Sequence, residues 1–160
     1  MDAIALLVQS FDDAWSHPWE ALLPTLEGVT DEEARWQAPC YAAEAPEAGW
    51  PPPGTVWWHV AHLAHYKAYY AAVVRARTAA TVPDPAPRVP RATFAEDLES
   101  LRRAHDEQRA AVAALTPADL DGLVRDRTPL AEFLAATLRH DAWHGGQLAV
   151  ARRLWRTRGA

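Results

Sequence analysis

The sequence predicts an all-α protein, a four-helix bundle with long Pro-rich connections. Four segments place apolar residues three and four positions apart, the spacing that gives a helix one apolar face. Alanine, the residue that most favours helix, is abundant. No segment alternates strictly between apolar and polar residues as a half-buried strand does. The chain of 160 residues has the length of one domain, and we expect residues 1–160 to form a single bundle domain.

The first predicted helix spans Asp2 to Leu26 and is interrupted by two prolines. Pro18 and Pro24 each remove a backbone hydrogen bond and crowd the preceding turn. We therefore expect a kink or a break near Pro18. Beyond this helix, Thr30 is followed three residues later by Glu33, a capping box that predicts the start of one short helical turn.

Two proline-rich segments flank the second predicted helix. Residues Gln37 to Gly54 contain five prolines and are predicted to form a loop, and a loop of this length in a compact domain is often functional. The second helix is predicted from Thr55, a good N-cap residue, to Thr78. Residues Thr81 to Arg91 contain four prolines and predict a stiff, extended linker that could cross the bundle.

Start signals also define the third and fourth long helices. Thr93 and Glu96 form a second capping box, and the third helix is predicted from Thr93 to Leu115. A short turn is expected at Thr116-Pro117. The fourth helix is predicted from Thr128-Pro129 to Arg156, with proline at the first helical position, where it is tolerated. Long helices with apolar stripes pack together as a bundle.

The composition and charge exclude several classes of protein. The net charge is −5 and the only basic cluster lies near the end of the last helix, so we expect no nucleic-acid partner. The start of the chain is acidic and its apolar run is short, which argues against a signal peptide. No stretch approaches the length of a membrane span, and the single cysteine, Cys40, cannot form an internal disulfide. These features predict a cytoplasmic protein.

Five of the seven histidines lie on two predicted helices. His140 and His144 are four residues apart, so they lie one turn apart on the same face and can bind one metal ion together. The helical stripe through them is otherwise mostly apolar and is predicted to face the interior. Its members are Phe133, Thr137, His140, His144, Leu148, Ala151 and Trp155. A histidine buried there needs a hydrogen bond or a metal ion.

The second predicted helix supplies a third candidate ligand. His62 lies at the centre of an aromatic and apolar face, with His59 and His65 about 60° to either side. His62 is therefore the best single choice to join His140 and His144. Three nitrogen ligands with an open fourth position are typical of catalytic zinc sites.

Two alternatives remain for these histidines. The pair on the fourth helix could be core histidines that bond a hydroxyl group of Tyr66, Tyr69 or Thr137 instead of a metal ion. His59 and His65 are expected to be partly exposed helix residues, although His59 is also a candidate for the wall of the pocket or for an outer partner of a ligand.

The residues around His144 suggest supporting roles. Asp141 and Gln147 could orient imidazole rings from outside the ligand set, or they could be ordinary solvated residues. Gly145 and Gly146 each cost helix stability relative to alanine. Their presence suggests that another backbone or a ligand approaches closely, or that they mark a kink or a tight helix contact.

Two motifs resemble those of the DinB/YfiT superfamily of four-helix-bundle metalloproteins. The first is Trp58-His59-Val60-Ala61-His62-Leu63 after Thr55, and the resemblance supports His62 rather than His59 as its ligand. The second, more specific motif is His140-Asp141-Ala142-Trp143-His144-Gly145-Gly146-Gln147-Leu148, which is similar to the family signature of His-acid-x-aromatic-His-x-Gly-Gln-aliphatic. Weaker similarity at residues 17–23 and 30–33 extends the resemblance over most of the chain.

The resemblance implies metal-dependent chemistry, because better-understood members of the superfamily are transferases or isomerases that use low-molecular-weight thiols. We expect one divalent ion, such as Zn, Ni or Fe, and transfer of a thiol to a small electrophile, with Tyr66, Tyr69 and Gln147 shaping the pocket. One alternative is a metal-dependent hydrolase, for which Asp141 is the only adjacent carboxylate. Another is a non-catalytic, stress-responsive metal-binding protein with a bundle face that forms a homodimer.

Overall fold

The structure, a computed structural model, describes residues 2–19, 21–41, 43–45, 47–76, 85–124 and 127–159. It confirms the predicted all-α class. The helices within these residues are α1 (Ala3–Ser16), α2 (Leu22–Leu26), α3 (Asp31–Arg35), α4 (Val56–Ala76), α5 (Phe94–Ala113) and α6 (Leu130–Thr157). Short 3₁₀ helices lie at Pro39–Tyr41, inside the predicted loop, and at Pro117–Asp121, at the predicted turn.

The first predicted helix divides into α1 and α2, which confirms the break near the first proline. α1 ends at Ser16, and His17 leaves the helical conformation with a ψ of 131°. A residue that precedes a proline is disfavoured in the helical region by steric clash, which explains the position of the break. Helix resumes at Leu22. Half of the predicted capping box at the start of α3 is present, since Thr30 Oγ1 accepts a hydrogen bond from the backbone N–H of Glu33 at 3.2 Å. The Glu33 carboxylate instead accepts a hydrogen bond from Arg152 Nε at 2.7 Å.

α4 and α5 both begin after the threonines that the sequence identifies as caps. Thr55 Oγ1 accepts from the N–H of Trp58 at 2.9 Å. Thr93 Oγ1 accepts from the N–H of Glu96 at 3.2 Å, and the Glu96 carboxylate accepts from the N–H of Thr93 at 3.3 Å, which completes the capping box. The predicted helix end at Thr78 and residues 81–84 of the predicted linker lie outside the described residues. Residues 85–91 contain neither helix nor strand.

The start of α6 differs from the prediction in two details. Leu123–Val124 (β1) and Thr128–Pro129 (β2) form an antiparallel ladder, although the sequence predicts no strand. Strands of two residues are too short to show an alternating pattern. Pro129 therefore belongs to β2 and precedes α6 instead of occupying its first turn, and the helix begins at Leu130.

The core consists of two apolar clusters with a polar layer between them. α4 packs against α5 and α6, and α1 packs against the same two helices. Leu63 and Leu148 belong to one cluster, and Phe11 and Leu134 belong to the other. On α4, α5 and α6 a set of buried polar residues falls between the two clusters, and we call this set the polar layer: Lys67, His105, Gln108 and Asp141. None of the helices in the described part of the chain combines the length and hydropathy that a bilayer-spanning segment needs.

Candidate metal centre

Three histidine side chains meet where α4 packs against α6. His62 comes from α4, and His140 and His144 come from consecutive turns of α6. One ring nitrogen from each lies within 4.8 Å of the other two, and the Nε2 atoms of His62 and His140 are 3.0 Å apart. The structure thus brings together the three residues that the sequence predicts as ligands.

The spacing of these nitrogens suits one divalent ion. Zinc binds an imidazole nitrogen at about 2.0–2.1 Å, so two nitrogens on one tetrahedral ion lie roughly 3.3 Å apart. The Nε2 atoms of His62 and His140 are 3.0 Å apart, and no two ligand nitrogens of the three histidines are more than 4.8 Å apart. The separation expected on a tetrahedral ion falls between these two values.

Burial keeps the three imidazoles in the neutral state that binds metal. It lowers the pKa of His62 to about 3, and the neighbouring histidines add to the effect. It lowers the pKa of His140 to about 4, with help from the charge of Lys67. It lowers the pKa of His144 to about 4, with help from His140. At neutral pH, therefore, no charged imidazole has to lose a proton before it can bind an ion.

The centre is closed on one side and partly open on the other. His144 is only 6% exposed, whereas His62 and His140 are half-buried. Ring centroids of the surrounding aromatic side chains lie 4.5–5.8 Å from those of His62 or His140. We call these four half-buried side chains the aromatic rim: Trp50, Trp58, Tyr66 and Tyr70.

The two tyrosines predicted to shape the pocket have different positions. The ring of Tyr66 lies 4.5 Å from that of His62. Tyr69 instead packs beside Tyr70 at 5.9 Å and lines a neighbouring cavity. Sequence reasoning missed Tyr70, whose ring lies 5.7 Å from that of His140. Relative to His62, Tyr66 and Tyr70 lie about 40° and 80° round the helix toward α6, while Tyr69 lies about 20° the other way.

Trp50 brings the predicted functional loop to the centre. Its ring lies 5.8 Å from that of His62. The Arg88 guanidinium lies 5.3 Å from the Trp50 ring and donates hydrogen bonds to the Gly49 carbonyl and the Asp97 carboxylate. Sequence reasoning missed Trp50 because no local pattern connects a loop residue to a particular helix face, and the length of the loop was the only signal.

His59 is buried, so the expectation of partial exposure is wrong for this residue. It is 3% exposed, and its Nδ1 lies 2.9 Å from Nδ1 of His144. Burial, assisted by His144, lowers the pKa of His59 to about 4. His65 is half-buried and its ring lies 5.5 Å from that of Trp50. The sequence places His59 and His65 symmetrically about His62, and only the packing of the helices decides which one faces α6.

Asp141 is buried, so the alternative that it is solvated is wrong. It is 2% exposed, and its Oδ2 accepts a hydrogen bond from Lys67 Nζ at 2.5 Å. Lys67 also donates to Gln108 at 3.1 Å. Burial raises the pKa of Asp141, and the charge of Lys67 opposes this rise. Sequence reasoning missed Lys67 because a lysine on a helix usually indicates a solvated position.

Gln147 and the adjacent glycines differ in how they match the predictions for them. The Gln147 side chain interacts with the His144 imidazole and acts to raise its pKa, against the effect of burial. Its buried Oε1 atom has no partner with ordinary hydrogen-bond geometry among the described residues. A Cβ atom at Gly145 would meet only the Leu22 side chain, at 3.6 Å, and one at Gly146 would meet nothing within 4 Å. The prediction that another part of the backbone approaches these glycines closely is therefore wrong.

A cavity of about 470 Å³ lies beside the centre, between α4, α5 and residues 85–91. Alanines of α4 line one side of it, and Arg91 and Arg103 are among its polar residues. Its wall includes His65 and Tyr69 but none of the three candidate ligands. The cavity therefore neighbours the centre along α4 without containing it.

A comparison with protein families agrees with these observations. The family model of the DinB superfamily matches residues 14–148 of the chain. The match includes α4 and the first two thirds of α6, and with them all three histidines. No match to the chain was found among curated proteins or among solved structures. Because the family match covers well over half of the sequence, the chain belongs to the DinB superfamily.

Proposed function

We propose that the protein is a metal-dependent enzyme in which His62, His140 and His144 hold one divalent ion. The observation that carries this proposal is the convergence of three ring nitrogens within 4.8 Å at a partly open position. Three protein ligands with a free position are the pattern of catalytic metal centres rather than of structural ones. Three imidazoles suit Zn, Ni, Fe or Cu, so the supply of metal in the cell decides which ion is bound.

The proposed reaction joins the sulfur of a low-molecular-weight thiol to an electrophilic carbon of a small substrate. A bound divalent ion would supply Lewis acidity, which favours the thiolate form of a coordinating thiol. The sulfur provides the electron pair of the new C–S bond, and the thiol proton passes to solvent. The bond between the attacked carbon and its leaving group breaks, and the leaving group keeps that electron pair and takes a proton from solvent. His62, His140 and His144 contribute no negative charge that would offset the positive charge of the ion.

The aromatic rim suits a small substrate with an apolar or planar part. Aromatic side chains bury large apolar areas and pack well against flat groups. Burial raises the pKa of Tyr70 to about 12, so its phenol remains a hydrogen-bond donor at neutral pH and can orient a substrate oxygen. The neighbouring cavity offers space for the remainder of the thiol.

Hydrolysis is the poorer candidate because it requires a general base close to the centre. Asp141 follows His140 directly in the sequence, but its Oδ2 is bonded to Lys67 in the polar layer. The positive charge of Lys67 opposes the uptake of a proton by this carboxylate. We therefore favour thiol transfer over hydrolysis.

Metal content is the first test of this proposal. The protein would be purified without a metal-binding tag and analysed by elemental mass spectrometry, as wild type and as His62→Ala and His144→Ala. We expect about one ion per chain in the wild type, the stoichiometry of a single centre, and a large loss in both variants. His65→Ala is the matched control, because it removes a histidine of the same helix and should keep the ion.

Activity is the second test. The metal-loaded protein would be screened with small thiols and electrophiles, with and without a chelator. Turnover that depends on both the metal and the thiol is expected. A wild-type protein that takes up no ion even after reconstitution would refute the proposed metal centre. A metal-loaded protein that transfers no thiol in the screen would refute thiol transfer as its reaction.

A further inference from the structure

A buried histidine outside the candidate ligand set, His59, pairs with His144, one of the three candidate ligands. Their Nδ1 atoms are 2.9 Å apart, and the two residues are 3% and 6% exposed. Two imidazole nitrogens at this distance form a hydrogen bond only when one of them carries a proton and the other offers a lone pair. The pair therefore has two possible arrangements, which differ in the direction of the bond.

Metal binding by His144 would select one of these arrangements. His59 occupies the Nδ1 side of the His144 ring, which leaves Nε2 as the nitrogen for an ion. A neutral imidazole whose Nε2 offers a lone pair carries its proton on Nδ1. That N–H group points at His59, so Nδ1 of His59 must accept a hydrogen bond from it. The ring proton of His59 must then lie on its Nε2 atom.

We propose that His59 is a positioning residue for the metal centre, which accepts the Nδ1–H of His144 and so fixes the tautomer and the orientation of that ligand. This inference rests on the proposed function, since it requires that His144 binds an ion. The outer partner of a metal-binding histidine is commonly a carboxylate, a backbone carbonyl or water. Here it is a neutral imidazole.

The neutral partner affects the charge of the whole centre. The ligand set contributes three neutral imidazoles, and His59 adds no charge behind His144. Asp141, the carboxylate nearest to the ligands in sequence, is compensated by Lys67 at 2.5 Å. The centre thus retains the full positive charge of its ion, which strengthens its attraction for an anionic ligand such as a thiolate.

Proton positions test the inference directly. In the Zn²⁺-loaded protein, long-range ¹H–¹⁵N NMR correlations report which ring nitrogen of each histidine is protonated. The expected result is a proton on Nδ1 of His144 and on Nε2 of His59. A proton on Nδ1 of His59 would overturn the proposal, and this measurement needs no variant that might fail to fold.

Metal affinity tests the role of the hydrogen bond. Co²⁺ binding would be measured by competition with a chromophoric chelator for the wild type, His59→Phe, His59→Asn and His65→Phe, with circular dichroism to establish folding. His59→Phe should weaken binding about 10- to 100-fold, the usual effect of losing an outer partner. His59→Asn should restore most of the affinity, because its side-chain carbonyl can accept the same hydrogen bond. His65→Phe, a matched change on the same helix, should bind like the wild type.

The outcomes separate this inference from the proposed function. If His59→Phe binds Co²⁺ with wild-type affinity, or if His59→Phe and His59→Asn lose the same amount of affinity, the positioning role of His59 is overturned. The proposed metal centre is not affected by either result. A wild-type protein that binds no Co²⁺ would overturn both proposals. The absorption spectrum of bound Co²⁺ adds a further readout, since a reoriented His144 should change its bands in His59→Phe but not in His59→Asn.

Discussion

His59 and His65 occupy equivalent positions on either side of His62, but their neighbours give them different properties. His59 faces α6, is 3% exposed and pairs with His144. His65 faces the loop, is half-buried and contacts Trp50. At the scale of single residues, therefore, the packing of the helices determines whether a histidine contacts a candidate metal ligand.

Buried histidines should make the stability of the metal-free protein sensitive to acid. Burial is the main cause that lowers the pKa of five histidines to about 3 or about 4: His59, His62, His105, His140 and His144. In the unfolded chain these groups titrate near pH 6.5. Between these values the unfolded state binds more protons than the folded state, so the free energy of unfolding falls as pH is lowered from about 6.5 toward 4.

Urea unfolding of the chelator-treated protein at several pH values would measure this effect. The unfolding midpoint should decrease steadily between pH 6.5 and pH 4.5 and change little between pH 7 and pH 8. His105→Phe removes one of the five groups at a distance from the ligands, so its stability should depend less steeply on pH. A midpoint that stays constant down to pH 4.5 would contradict the prediction.

At the scale of helices, the Lys67–Asp141 pair connects the two elements that carry the candidate ligands. It joins α4 to α6 inside the polar layer, with both side chains at most 3% exposed. Lys67→Met would leave a buried carboxylate without its partner, which typically costs about 3–5 kcal/mol. The double variant Lys67→Met with Asp141→Leu should recover most of this loss, because an apolar pair of similar size needs no charge compensation.

Chemical denaturation at pH 7 would compare these variants. Arg75→Met is the matched control, since the Arg75–Glu107 pair also connects two helices but is about half exposed. Exposed pairs contribute roughly 0–1 kcal/mol, so Arg75→Met should change the free energy of unfolding only slightly. If the double variant is as unstable as Lys67→Met alone, the buried unpaired charge is not the cause of the lost stability.

The connection from the loop of residues 37–54 into α4 depends on a glycine. Gly54 has a φ of 72°, and a Cβ atom built there would lie 2.4 Å from the Tyr41 ring. Gly54→Ala should therefore destabilise the protein by roughly 2–4 kcal/mol through backbone strain and steric overlap. Gly28 has a φ of 69° with nothing within 4 Å of an added Cβ, so Gly28→Ala should cost only the strain, about 1–2 kcal/mol.

Thermal unfolding would distinguish the two glycine variants. The melting temperature of Gly54→Ala should fall well below that of Gly28→Ala. Equal decreases would indicate that Tyr41 moves away without cost and that the close approach is unimportant.

The accuracy of the sequence predictions depends on whether their signals are local. Thr55 and Thr93 lie beside the helices that they cap, and the proline after His17 acts on the adjacent residue, so these boundaries were predictable. The ladder of β1 and β2 was not, because two residues carry no periodicity. Helical spacing alone places His140 and His144 on one face of α6, whereas Trp50 and Lys67 reach the candidate centre and the polar layer only through tertiary packing.

At the scale of the whole molecule, metal binding should stabilise the fold. An ion that binds only the native state at 100 times its dissociation constant adds about 2.7 kcal/mol. For a chain of this length that corresponds to roughly 5–10 °C in melting temperature. Calorimetry with and without Zn²⁺ should show this increase for the wild type and little change for His140→Ala. A similar increase in both proteins would indicate that zinc binds elsewhere.

The aromatic rim also gives the protein a native optical reporter. The indole rings of Trp58 and Trp50 lie 4.8 and 5.8 Å from the ring of His62. Ions with partly filled d shells, such as Co²⁺, Ni²⁺ and Cu²⁺, accept excitation energy from a nearby indole and quench its fluorescence, whereas Zn²⁺ has a filled shell and does not. Occupancy of the centre by the first group of ions would therefore dim the emission of these two tryptophans, and displacement by zinc would restore it. Competition between metals for this protein can thus be followed without any label.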